Sequence, residues 1–242
     1  MKESENKLAQ LNQVKDKLFS VISHDFRNPL ATMQSFLKLI TDHLDKLTEE
    51  EKEELFVQAQ QSLDHLNELM YNLLQWFSSQ MNLLQFKPEK IYVKVIIENA
   101  IKVLQLNAHM KNIKIIVDRD TNFCGYPDKN MVESVLRNLV SNVIKFSNRN
   151  NYVYILSYKQ HNAITIEVKD TGIGMTEIKI KKLLEEPSTV TRRGTEKEKG
   201  SGLGFLISKE FIEKNKGRLF IQSELHKGSS FSFTIQELTK VL

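Results

Sequence analysis

Four stretches of the chain carry residue types at spacings that could do chemistry. In Ser23-His24-Asp25-Phe26-Arg27-Asn28-Pro29, an imidazole is followed by a carboxylate and, one helical turn on, by a carboxamide. At about 100° per residue, His24 and Asn28 share the outer face of a helix with Asp25 beside them, a nucleophile with groups to orient it. In Asn138-Leu-Val-Ser-Asn142-Val-Ile-Lys145-Phe146, the residues Asn138, Asn142 and Lys145 line one helix edge. A carboxamide oxygen is a competent hard ligand for Mg2+, and an ammonium beside it neutralises phosphate charge. Asp170-Thr-Gly172-Ile-Gly174 directly follows a strand pattern. There a carboxylate can accept from an exocyclic amine while the glycines let a ligand approach the backbone. Gly200-Ser-Gly202-Leu203-Gly204-Phe205 opens an apolar helix and offers a phosphate cradle of amides and a helix N-terminus. Each stretch alone has a plainer reading: a solvated or capping histidine, solvated Asn and Lys on a helix edge, an ordinary Asp-Thr-Gly turn, a glycine-rich loop.

The elements that must position these residues follow from periodicity. Leu18, Ile22, Phe26, Leu30, Met33, Leu37, Ile40, Leu44 and Leu47 recur at helical spacing and predict a long amphipathic helix ending near Lys46, bent at Pro29. Leu11, Val14, Leu18 and Val21 continue it upstream as a short coiled-coil entry or a plain helical extension. Thr48 with Glu51 three residues later is a capping-box signature for a second helix. That helix carries Leu55, Ala59, Leu63, Leu66, Met70, Leu73 and Phe77 and runs to about Leu84. One antiparallel hairpin cannot enclose its own apolar stripe, so a second copy completing a four-helix bundle is expected. Gln85-Phe-Lys-Pro-Glu-Lys90 is a break, placing the boundary between domains 1–86 and 87–242. Beyond it, helices (Val93–Leu106, Asn130–Phe146, Leu203–Lys214) alternate with strands (Ile113–Val117, Tyr152–Tyr158, Ile164–Lys169, Arg218–Gln222, Ser230–Ile235). The expected fold class is an α-helical hairpin followed by an α/β two-layer sandwich. Glu185 to Lys199 is charged and holds Pro187 and Gly194, and reads as a lid.

Composition limits the function classes. A chain of 242 residues suits one large or two modest domains, and 40% hydrophobic with 26% charged residues is ordinary for a soluble globular protein. The lone Cys124 allows no internal disulfide, in keeping with a reducing compartment. A net charge of +4 on scattered lysines, with no interleaved aromatics, argues against nucleic acid as a partner. No apolar run reaches the roughly 18 residues a membrane span needs, so any membrane tie is expected through upstream segments.

In order, the four stretches resemble the boxes of sensor histidine kinases: the phospho-acceptor box around His24, the asparagine box, the Asp-x-Gly-x-Gly adenine box shared with gyrase B and MutL, and the final glycine loop. The resemblance implies His24 as phospho-acceptor, Asp25 orienting its imidazole, and Asn28 orienting water in a reverse, phosphatase reaction. It implies Asn142 as the Mg2+ ligand, with Asn138 and Lys145 near the phosphates of ATP and Phe146 near the base. Asp170 would bind the adenine amino group beside Gly172 and Gly174, and Gly200, Gly202, Leu203 and Gly204 would hold phosphate. Val143 and Phe205 depart from the usual alanine and leucine, and Leu183 and Leu184 stand where a phenylalanine-bearing segment is usual. The implied protein is a cytoplasmic homodimeric kinase core, with ATP and Mg2+ as cofactors, that passes phosphate to an aspartate of a response-regulator receiver domain. Two rival classes remain: a degenerate dimeric scaffold that binds ATP and docks a receiver, and another ATPase of the gyrase B type.

Overall fold

The computed structural model describes residues 26–43, 47–80, 85–118, 121–160, 163–185, 194–195 and 202–237. The expected coiled-coil entry, His24, Asp25 and Gly200 lie outside the described residues. Contacts divide the chain into two compact units, Met1–Leu74 and Gln75–Leu242.

Two helices dominate the N-terminal part, α1 (Arg27–His43) and α2 (Glu49–Gln80). Phe26, the residue before α1, is π-helical, and Pro29 falls in the first turn of α1. The start of α2 is fixed by sequence alone. Thr48 Oγ1 accepts from the Glu51 amide at 3.2 Å, and the Glu51 carboxylate accepts from the Thr48 amide at 2.9 Å, a reciprocal capping box. Glu49, Glu50 and Glu51 in the first turn complement the helix dipole. The stripe read from spacing is largely uncovered in one chain: Leu30, Leu37, Leu63, Met70 and Phe77 are all exposed. The buried face of α2 is instead set by Leu69, Asn72 and Trp76.

The C-terminal unit is a five-stranded sheet under helices. Its strands are β2 (Lys114–Val117), β4 (Tyr152–Gln160), β5 (Ala163–Asp170), β6 (Leu219–Glu224) and β7 (Gly228–Gln236), in the order β2-β4-β5-β7-β6. Only β2 with β4 is parallel; β4–β5, β5–β7 and β6–β7 are antiparallel. A separate two-stranded antiparallel pair joins β1 (Ile91–Tyr92) to β3 (Cys124–Gly125). The covering helices are α3 (Val93–Met110), α4 (Lys129–Phe146) and α6 (Leu203–Lys214), with α5 (Glu177–Glu185) carrying no buried residue.

Alternation explains the layer. Val153 and Ile155 on β4, Ile164, Ile166 and Val168 on β5, and Phe231, Phe233 and Ile235 on β7 are buried. They meet Ile96, Ile97 and Ala100 of α3, Val132, Val135, Leu136 and Leu139 of α4, and Ile207 and Phe211 of α6, every one almost fully buried. The two-layer α/β architecture expected from the pattern is the observed one. The sequence reading left α5, β1 and β3 unassigned and ended α3 one turn early. That helix continues until Asn112 adopts a left-handed φ of 52°.

Candidate functional site

Helix α4 is the frame of the site. Asp128 caps it, one carboxylate oxygen accepting from the Met131 amide at 3.1 Å and the other from the Lys87 amide at 2.9 Å. Asn215, at the end of α6, accepts from the Asp128 amide at 2.7 Å. One side of α4 is sunk in the core, and its edge leaves Asn138, Asn142, Lys145 and Phe146 half-buried. The Asn138 side chain donates to the Gly204 carbonyl at 3.3 Å, which joins the asparagine helix to the glycine loop. A Cβ on Gly204 would lie 3.3 Å from the Asn138 oxygen, so this contact needs a small residue there. Gly202 caps α6 with φ 68°, a left-handed turn that a side chain would strain, and Leu203 follows it into the core. Among the described residues, the side chain of Asn142 has no hydrogen-bond partner, so its oxygen is available to a cation. No cluster of three or more His, Cys, Asp or Glu side chains suited to a metal occurs among the described residues. A cation held by Asn142 would therefore draw its other oxygens from phosphate and water, as Mg2+ commonly does.

Asp170 reaches its place by strand alternation, in phase with Ile164, Ile166 and Val168, which turns its carboxylate toward the helices. The group is 3% exposed. Burial pushes its pKa above the ordinary carboxylate value, and the amides of Gly172 and Ser229 pull it part of the way back. Both amides donate to the same oxygen, at 2.6 and 3.3 Å. The other oxygen has no hydrogen bond among the described residues, which leaves it for an amine donor. Gly172 is required by packing: a Cβ would sit 2.5 Å from the Phe146 carbonyl at the end of α4. Gly174, at φ 61°, presses on the Glu224 carbonyl.

The structure thus gathers Asn138, Asn142, Lys145, Phe146, Asp170, Gly172, Gly174, Gly202, Leu203 and Gly204 around α4. Asn28 lies separately, half-buried on α1 in the N-terminal unit. Spacing did not reveal Gly228 and Ser229. Gly228, at φ 102°, packs where a Cβ would lie 2.1 Å from the Asp170 carbonyl, and Ser229 bonds the Asp170 carboxylate. The only local signal was a glycine between two strand patterns.

A carboxylate placed for an amine, a carboxamide oxygen with no hydrogen bond among the described residues and a glycine-capped helix N-terminus fit the three parts of a Mg2+-bound nucleoside triphosphate. Comparison with known proteins points the same way. Residues 14–81 match the "His Kinase A (phospho-acceptor) domain" and residues 127–239 the "Histidine kinase-, DNA gyrase B-, and HSP90-like ATPase". An uncharacterised sensor-like histidine kinase, ycf26, of Pyropia yezoensis is 26% identical over 240 residues, covering 93% of this chain and 36% of that protein. The chain spans little more than a third of the length of such curated relatives. Among solved structures, the Acinetobacter baumannii histidine kinase AdeS superposes with TM-score 0.68 at 21% identity, over 89% of this chain and 98% of that one. Histidine kinase ThkA, solved in complex with the response regulator protein TrrA, gives TM-score 0.72 at 17% identity, over 97% of this chain and 65% of that one. At these identities the superpositions speak for the fold.

Proposed function

We propose that this chain, which belongs to the sensor histidine kinases by its phospho-acceptor and ATPase domains, phosphorylates itself on His24 and passes the phosphoryl group to an aspartate of a receiver domain. The observation that carries the reading is the convergence of Asp170, Asn142 and the Gly202–Gly204 loop on one helix, in a chain that also bears a phospho-acceptor domain. Domains 1–86 and 87–242 would divide the two tasks. ATP binds with its adenine amino group on the open oxygen of Asp170. The start of α6 and the Gly202–Gly204 backbone bind the phosphates, with Asn138 holding that loop in place. Asn142 would hold Mg2+, which when bound neutralises charge on the phosphates. Lys145 adds a second positive charge. Phosphoryl transfer has a loose transition state, so positioning and charge neutralisation do most of the catalysis. A ring nitrogen of His24 attacks the γ-phosphorus, and the N–P bond forms as the bond to the β,γ-bridging oxygen breaks. Asp25 accepts the proton on the other ring nitrogen and keeps the attacking one nucleophilic. Asn28 orients water when the reaction runs as a phosphatase.

The exposed Leu30, Leu37, Leu63, Met70 and Phe77 need a cover that one chain does not provide, which supports a homodimer through the helical hairpin. Histidine kinase ThkA, solved in complex with the response regulator protein TrrA, supports the partner reading. Among the described residues no helix is long and apolar enough to cross a membrane. A cytoplasmic kinase core, with any membrane tie through upstream segments, agrees with the use of ATP. The test is incubation with γ-labelled ATP and Mg2+, parent against His24→Gln. Label that is acid-labile, alkali-stable and absent from the variant establishes the autokinase. Nucleotide binding without label moves the reading to a scaffold, and release of free phosphate without labelled protein moves it to a gyrase-type ATPase.

A further inference from the structure

Lys111 follows α3 directly and is 6% exposed, an unusual place for an ammonium. Its Nζ donates to the Ile144 carbonyl at 3.2 Å, the Lys145 carbonyl at 3.1 Å and Thr195 Oγ1 at 2.9 Å. Ile144 and Lys145 belong to the last turn of α4, whose carbonyls have no intrahelical donor and carry the negative end of the helix dipole. The ammonium is therefore a cationic cap supplied by a different helix. Thr195 is bound to the same turn from the other side: its amide donates to the Lys145 carbonyl at 3.0 Å and its hydroxyl to the Ser147 carbonyl at 2.8 Å. One residue away, the Phe146 carbonyl touches Gly172, whose amide in turn donates to Asp170.

We propose that Lys111 is a positioning residue of the nucleotide site, tying the end of the asparagine-bearing helix to Thr195 and setting where Asn142, Lys145 and the Asp170 turn stand. The role rests on reading that site as an ATP site. Lys111 acts through the end of α4, where its ammonium donates to Ile144, Lys145 and Thr195.

The experiment uses the full chain with trinitrophenyl-ATP and Mg2+, comparing parent, Lys111→Met, Lys111→Arg and Thr195→Val. Thr195→Val keeps the shape and removes only the hydroxyl, so it serves even where Lys111→Met fails to fold. Losing one or two of these bonds should weaken nucleotide binding about tenfold in Thr195→Val and more in Lys111→Met. Lys111→Arg should recover part of the loss, since a guanidinium can still donate to the carbonyls. In autophosphorylation the loss should fall on KM for ATP rather than on kcat. Amide exchange at Thr195 should speed up in Lys111→Met. Variants that melt lower yet bind nucleotide as the parent does overturn the positioning role and leave Lys111 a purely structural cap. A parent that binds no nucleotide overturns the ATP-site reading beneath it.

Discussion

Asp170→Asn separates nucleotide recognition from folding. In the parent, one carboxylate oxygen is held by the amides of Gly172 and Ser229, so the other is fixed in direction. The carbonyl oxygen of an asparagine can keep both amides. Its NH2 group then stands where the open oxygen was and points a donor at the donor of the adenine amine. A hydrogen bond to a charged acceptor contributes about 1.5–3 kcal/mol. Its loss therefore weakens binding roughly tenfold to a hundredfold. Stability should move the other way. Burial raises the Asp170 pKa above its unfolded value. The carboxyl's contribution to stability is then fully present below the unfolded pKa and is lost as pH rises through the folded one. A neutral amide escapes that loss, so the variant should melt no lower than the parent at pH 7, and any advantage should shrink in acid below the raised pKa. Calorimetric titration with a non-hydrolysable ATP analogue and Mg2+, paired with melts at neutral and acidic pH, reads both. Retained affinity would refute the adenine role. Lost affinity together with a markedly lower melting temperature at pH 7 would make Asp170 a structural residue.

Asn142→Ala removes a carboxamide oxygen that has no hydrogen bond among the described residues and should slow autophosphorylation about a hundredfold at saturating ATP, an expectation checked by titrating Mg2+. A rate unchanged across the Mg2+ titration would remove Asn142 from the metal site. Thr48→Ala removes the hydroxyl that accepts from the Glu51 amide, leaves the bond from its own amide to the Glu51 carboxylate, and should destabilise the helical unit by about 1 kcal/mol, read by denaturant unfolding followed at the α2 helix. Gly174→Ala forces a side chain into a left-handed φ of 61°. The backbone term alone is about 1–2 kcal/mol, and the clash with the Glu224 carbonyl adds to it, so unfolding of the C-terminal unit should shift to lower denaturant.

Local features of the sequence proved the most legible. Thr48 and Glu51 specify a helix start between neighbours in sequence, and the reciprocal bonds are present. Period-two alternation carried Asp170 onto the buried face with Ile164, Ile166 and Val168, so both its place and its perturbed ionisation follow from a pattern of eight residues. Long-range partners were hidden. Lys111 at a helix end reads as a solvated cation because the oxygens that bury it lie 33, 34 and 84 residues away. Ser229 meets Asp170 across 59 residues and two strands. Strands of two residues, such as β1 and β3, carry no period at all. The parallel pairing of β2 with β4 depends on α4 passing between them in sequence, a crossover that no local spacing encodes. The apolar stripe of the hairpin illustrates the opposite case. Its spacing was legible, yet Leu30, Leu37, Leu63, Met70 and Phe77 stand exposed among the described residues, where the proposed dimer would cover them.

In the proposed ATP site, nucleotide geometry would be controlled by one element of the C-terminal unit. Asn138 reaches the glycine loop, Asn142 and Lys145 line the edge between, and the last carbonyls of α4 meet the Gly172 turn, Lys111 and Thr195. In the proposed site a displacement of α4 would move the phosphate side and the adenine side together; its start is capped by the adjoining Asp128 and its end by Lys111, which follows α3. Asn28, by contrast, lies on α1 in the other unit, next to the acceptor box in sequence. The two halves of the proposed reaction should then respond to different substitutions. Changes at either end of α4 should alter ATP affinity and leave the intrinsic reactivity of His24 intact. Changes around the acceptor box should alter transfer while nucleotide binding stays as it was. A substitution at Lys111 that slowed transfer at saturating ATP with full affinity would break that division, because Lys111 donates to the end of α4 and to Thr195.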